Sequence, residues 1–121
     1  MRLVATALTV IVALEHLGFL VLEMFLWTEP IGLRIFRLTP QAAAASRTLA
    51  FNQGLYNGFL AAGLLWGLLA ADPGTSLAAK TFFLACVVVA GAVGGATVSP
   101  RVLLVQAVPA LAALALLRLA R

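Results

Sequence analysis

The apolar positions of this chain fall into four long runs, about 3–27, 48–71, 77–98 and 101–119. A helix needs about 20 mostly apolar residues to cross the hydrocarbon layer of a bilayer, and each run has roughly that length. The separators are short and rich in helix starters and breakers. Glu29-Pro30 ends the first run, because a residue before proline is pushed out of the helical region. Thr39-Pro40 and Ser99-Pro100 read as an N-cap followed by proline in the first turn. Asp72-Pro73-Gly74 reads as a turn. Short links make consecutive helices antiparallel neighbours. The pattern therefore predicts an all-α fold, a four-helix transmembrane bundle with antiparallel up-down-up-down topology. It forms a single integral membrane domain over residues 1–121, with an amphipathic loop at 30–47 whose Arg34 and Arg37 face headgroups.

Polar residues interrupt this pattern in few places. Glu15, His16 and Glu23 lie in the first run, and Asn52, Gln53, Tyr56 and Asn57 open the second. An ionisable side chain near the bilayer centre costs roughly 2.5–3.5 kcal/mol on insertion scales, so such groups need protein partners or water. Counting about 1.5 Å per residue from Trp27 puts Glu23 about 6 Å deep and Glu15 and His16 near the midplane. Counting from Thr48 puts Asn52 about 6 Å deep and Tyr56 and Asn57 about 12–14 Å deep. Gln106 in the fourth run falls at about 7 Å on the same side. This depth sequence predicts a one-sided polar pocket of Glu15, His16, Glu23, Asn52, Gln53, Tyr56, Asn57 and Gln106. Glu23 should stand level with Asn52 and Gln53, and Glu15 and His16 level with Asn57. The opposite half of the bilayer holds little beyond Ala, Leu, Val and Gly, which counts against a through-pore.

Composition agrees with a membrane protein. Of 121 residues, 64% are hydrophobic and 10% charged, against about half and a quarter in soluble domains. The net charge of +4 comes from cations at the ends of runs, a membrane-interface pattern without the basic stripe of a nucleic-acid face. The expected partner is the bilayer, and no nucleic-acid partner is expected. Arg2, Lys80, Arg118 and Arg121 balance Arg34, Arg37, Arg47 and Arg101 across the two sides, so charge does not choose an orientation. A dual-topology homodimer stays open. Arg2 before an apolar run resembles a signal peptide, but no small-x-small cleavage site precedes Glu15-His16, so an uncleaved first span is expected.

Lone Cys86 reads as a small packing residue. Gly91 and Gly95 have the spacing of close helix packing. Trp27 and Trp66 read as interface anchors or packing, and Pro109 as a kink in the fourth run. Two carboxylates and one histidine without a ligand motif give no metal expectation, and no cofactor is implied. The sequence supplies no recognised nucleophile and no nucleotide loop.

The segments A-L-E-H around Glu15 and His16, V-L-E-M-F around Glu23, N-Q-G-L-Y-N-G from Asn52 to Gly58 and V-Q-A-V-P-A around Gln106 resemble domain-of-unknown-function family 1304. The resemblance covers almost the whole chain, and the asparagine-glycine run is its most specific part. It implies a small, four-span bacterial integral membrane protein of the inner membrane, and no reaction. The leading functional expectation is binding of a small apolar or lipid-like molecule in the polar pocket. A proton-coupled transporter, an enzyme using Glu/His acid–base chemistry and a structural subunit of a membrane complex stay as alternatives.

Overall fold

Proline sets the start of four of the five helices in the computed structural model, which describes residues 1–120. The helices are α1 (Arg2–Met24), α2 (Pro30–Phe36), α3 (Pro40–Leu69), α4 (Pro73–Thr97) and α5 (Pro100–Leu119). No strand occurs among the described residues. Thr39 and Ser99 cap as their sequence context predicts, and Asp72, expected only as part of a turn, caps as well. Their side chains accept hydrogen bonds from the backbone N–H groups of Ala42 (3.1 Å), Thr75 (2.7 Å) and Arg101 (3.2 Å). Each cap satisfies one of the donors that a helix start leaves without an internal partner. Arg121, part of the charge balance above, lies outside the described residues.

Two boundaries differ from the apolar runs. The first helix stops at Met24, three residues before the run ends, and Phe25 to Glu29 form a turn. The segment 30–47 is not a loop. It holds α2, a left-handed cap at Arg37 (φ 54°) and the first turns of α3. Proline at 30 and at 40 starts a helix each time, and the αL residue between them reverses the chain.

Three helices, α1, α4 and α5, are long and apolar enough to cross a membrane. α3 is longer, at 30 residues, but its Asn52 to Asn57 stretch keeps it out of that set. Large apolar side chains including Leu3, Leu69, Phe82 and Leu104 are exposed. So much bare apolar surface suits lipid rather than water. The chain is a membrane-type, all-helical protein.

The chain divides into two compact units, Met1–Leu14 with Leu60–Arg121, and Glu15–Phe59. In the first unit, Val12, Ala13, Leu64, Leu84, Val87, Ala110 and Ala113 are buried in one apolar cluster drawn from four helices. α4 and α5 meet through glycine. A Cβ on Gly91 would lie 2.7 Å from the Ala107 backbone nitrogen, and one on Gly95 would lie 2.6 Å from Leu103 Cβ. The small-residue spacing is thus a packing device, as expected. α5 widens into a π-turn at Leu103–Ala107, and the Val108 N–H reaches back to the Leu103 carbonyl. Pro109 supplies the reason. It has no N–H for the Val105 carbonyl and its ring crowds that group, and a wider turn relieves the clash.

In the second unit the α1–α2 turn is held from both sides. Trp27 Nε1 donates to Ser46 Oγ on α3 at 3.0 Å, and its ring packs tilted against that of Phe36 on α2, with centroids 4.7 Å apart. Trp27 is therefore a clamp between elements. Gly32 is buried where any side chain would collide with the carbonyls of Leu26 and Trp27.

Candidate functional site

The polar residues of the second unit are positioned by two glycines. Gly54 and Gly58 stand one turn apart on α3. A Cβ on Gly54 would come within 2.6 Å of Met24 Cγ and 3.0 Å of Glu23 Cβ, and one on Gly58 within 2.6 Å of Leu20 Cδ1. At Gly54, against Glu23 Cβ and the Met24 backbone, a bare backbone is needed for this approach, while at Gly58 the neighbour is the flexible tip of Leu20. Asn57 lies beside this glycine face, and its Nδ2 donates to Glu23 Oε1 at 3.0 Å. The spacing of Gly54 and Gly58 was readable in the sequence and would have selected this face directly.

Helix geometry then fixes the rest. With 3.6 residues per turn, Asn52 and Tyr56 lie roughly 160° from Gly54 around α3, and Gln53 roughly 100° from it. All three are exposed, Tyr56 to 55%. The Tyr56 ring lies 6.2 Å from that of Phe59 on the same helix. These three residues do not join Glu23. The four α3 residues expected in one pocket split, with Asn57 turned inward and Asn52, Gln53 and Tyr56 turned outward.

The axial register also differs from the depth count. Glu23 pairs with Asn57, about one turn further along α3 than Asn52 and Gln53. Phe25, Leu26 and Trp27 explain the offset. Counted as helix they advance about 4.5 Å along the axis, whereas the chain has already turned at Met24. Trp27 meets Ser46 while Met24 meets Gly54, eight residues or about 12 Å further along α3, so the non-helical stretch covers more of the axis than the helical count allows, and Glu23 comes level with Gly54 and Asn57.

Further into α1, His16 is fully buried, and its ring meets that of Phe19 edge-on, with centroids 5.7 Å apart. Glu15 is half-buried, and its Oε1 is buried without a hydrogen-bond partner. Glu15 and Glu23 are eight residues apart, so the two carboxyl groups sit about 12 Å apart along the helix. The structure therefore joins Glu23 with Asn57, while Glu15 and His16 lie about two turns further along α1 and not, as expected, level with Asn57. Gln106 belongs to the other unit, half-buried within the π-turn of α5. Sequence reasoning missed Ser46, which reads as helix filler among alanines but receives the Trp27 N–H. Among the described residues no three of His, Cys, Asp and Glu gather in a group that could hold a metal ion.

Chemically Glu15, His16, Glu23 and Asn57 offer acceptors more than donors. A carboxylate oxygen inside a membrane helix is satisfied either by protonation or by a donor, from the protein or from a bound molecule. Asn57 supplies such a donor to Glu23. Glu15 Oε1 accepts from no group among the described residues.

No curated protein and no solved structure matches this chain. A family model does, over residues 10–118, and its description is "Protein of unknown function (DUF1304)". With nearly the whole length matched, including Glu15, His16, Glu23 and Asn57, the chain belongs to the DUF1304 family.

Proposed function

We propose that this protein binds a small or lipid-like molecule inside the membrane, through a hydroxyl or amine donated to Glu15. The observation that carries the reading is the buried Glu15 oxygen without a hydrogen-bond partner. An unsatisfied buried acceptor costs about 1–3 kcal/mol, more when charged, and a donor on an apolar ligand would remove that cost. His16 borders the position on the next residue, and the Glu23–Asn57 pair holds the neighbouring stretch of α1 against α3. In this reading α3 is a fourth span, the topology is up-down-up-down, and the protein sits in a bacterial inner membrane. The 30-residue length of α3 and the short links on both sides of it support that arrangement.

The test is a melting screen of wild type and Glu15→Gln in detergent against host lipid extract, long-chain alcohols and long-chain amines. A ligand at a hundredfold excess over its Kd should stabilise the wild type by about 2.7 kcal/mol. Glu15→Gln should keep the fold and lose most of that gain. A wild type that no fraction stabilises, beside an equally stable variant, would sink the reading.

A second reading has its own observation. Asn52, Gln53 and Tyr56 are exposed on a helix flanked by exposed Phe51, Leu55 and Phe59. Amides facing lipid are costly and are commonly satisfied by another helix. A structural subunit, or a homodimer, would cover them. Mass determination in detergent of wild type and the Asn52→Leu/Gln53→Leu double variant decides this. A dimer that the double variant breaks supports it, and a wild-type monomer removes the homodimer.

A further inference from the structure

The first unit carries a groove remote in sequence from the Glu15 set. It has a volume of about 480 Å³ and is lined by Gly74, Leu77, Ala78, Thr81, Phe82 and Ala85 of α4 and by Arg118 of α5. Apart from Thr81 and Arg118 the lining is apolar. Arg118 lies in the last turn of α5, and its side chain is exposed.

The dimensions suit one leaflet. α4 begins at Pro73, so the lining from Gly74 to Ala85 descends about 16 Å from the helix end. Half of a hydrocarbon core of about 30 Å is about 15 Å. A guanidinium at the mouth and an apolar channel one leaflet deep are complementary to an amphiphile with an anionic head. Arginine is suited to the head because its planar fork takes two phosphate oxygens at once. Basic positions between membrane helices are recurrent sites for anionic lipid headgroups. Asp72, close to Gly74, stays an anion while it accepts from the Thr75 N–H, so the headgroup is held by Arg118 of α5 against that charge. The Thr81 hydroxyl is also uncommitted. Thr9 and Thr97 bond back to the carbonyls of Ala5 and Val93, four residues earlier, while Thr81 Oγ1 has no hydrogen-bond partner.

We infer that this groove is a binding site for one anionic phospholipid of the surrounding leaflet. Its phosphate sits on Arg118 and one acyl chain lies along Leu77, Ala78, Phe82 and Ala85. The proposal is independent of the Glu15 reading and shares no residue with it.

The experiment is native mass spectrometry and melting of the full chain in detergent with phosphatidylglycerol, with phosphatidylcholine of the same chains, and with inorganic phosphate. Phosphatidylglycerol should give one retained lipid and the larger melting shift, and inorganic phosphate alone should give neither. Arg118→Gln should weaken phosphatidylglycerol about tenfold, the loss of one charge-assisted contact, without lowering the lipid-free melting temperature. Arg118→Lys should fall between the two. Ala78→Phe, which fills the channel, should weaken retention while Arg118 is intact. Arg101→Gln, at the other end of α5, should change nothing. Equal shifts from the two lipids would overturn the proposal. So would equal losses in Arg118→Gln and Arg101→Gln, or a shift reproduced by inorganic phosphate alone.

Discussion

The two units of this chain solve membrane packing with the same device and different chemistry. In both, glycine lets one helix backbone approach another. In the unit made of Met1–Leu14 and Leu60–Arg121, Gly91 and Gly95 close α4 on α5 and the core beneath is Val, Leu and Ala. In Glu15–Phe59, Gly54 and Gly58 close α3 on the end of α1, and the close approach is used to join an amide to a carboxylate. Three of the four acidic residues, both asparagines and the histidine fall in this second unit. Glycine spacing alone therefore identifies contact, and the residue beside the glycine identifies what the contact is for.

The largest test of that contrast uses the same substitution in each unit. Gly91→Ala places a methyl 2.7 Å from the backbone nitrogen of Ala107, which cannot rotate away. Overpacking of this kind costs about 1–3 kcal/mol, more than the roughly 1 kcal/mol that alanine gains over glycine in a helix. Gly58→Ala meets only the tip of Leu20, 2.6 Å away, which can change rotamer. We expect a clear loss of melting temperature for Gly91→Ala and a change near zero for Gly58→Ala. The reverse order would mean that the first unit is the softer one.

The next effect isolates the polar contact. Asn57→Leu removes the donor to Glu23, and Glu23→Leu removes the acceptor. A double-mutant cycle on the two should give a coupling of about 0.6–1.7 kcal/mol, the range measured for hydrogen bonds between membrane helices. A coupling indistinguishable from zero would reduce the pair to coincidental proximity, and with it the distinction between the units.

How much of this was legible beforehand depends on whether the signal was local. Helix starts at Pro40 and Pro100 were, because the cap residue and the proline act on their own backbone, whereas Pro30 and Pro73 carry the same proline signal but read as a run end and a turn. The importance of Glu15, His16 and Glu23 was legible too, because a charge inside an apolar run is costly wherever it points. Direction was not. In a lipid-facing helix both faces are apolar, so hydropathy does not separate inside from outside, and depth alone puts Asn52, Tyr56 and Asn57 in one pocket. The register error came from Trp27. Its hydrophobicity extends the apolar run, but backbone hydrogen bonding ends the helix at Met24. The π-turn around Gln106 follows from Pro109, whose effect falls on the turn before it.

A smaller effect sits at the α1–α2 turn. Trp27→Phe keeps an aromatic ring near Phe36 and removes the N–H to Ser46. The expected cost is about 0.5–1.5 kcal/mol. Ser46→Ala removes the same bond from the other side, so the double variant should be little worse than either single. Additive losses, read by melting, would show that the ring packing or the Ser46 contact to the Ala42 carbonyl (2.7 Å) carries separate weight.

The smallest effect concerns Asp72, the single acidic residue of the apolar unit, and it lies in the turn outside the membrane spans. The Thr75 backbone N–H bonded to its carboxylate holds its pKa below the usual carboxylate range. The sign follows from linkage. A group whose folded pKa is depressed contributes stability above its unfolded pKa, about 3.9, and loses it as pH falls through the folded value. Asp72→Asn keeps an oxygen able to accept from Thr75 but does not titrate. Melting curves of wild type and Asp72→Asn should therefore run parallel from about pH 5 to 8 and converge below about pH 4. Subtracting the two removes the contribution of the glutamates in the other unit, which both proteins share. A gap that instead opens or closes between pH 5 and 7 would mean that the cap is coupled to another titrating group. The apolar unit would then not be electrostatically silent inside the membrane, and the contrast with Glu15–Phe59 would have to be redrawn.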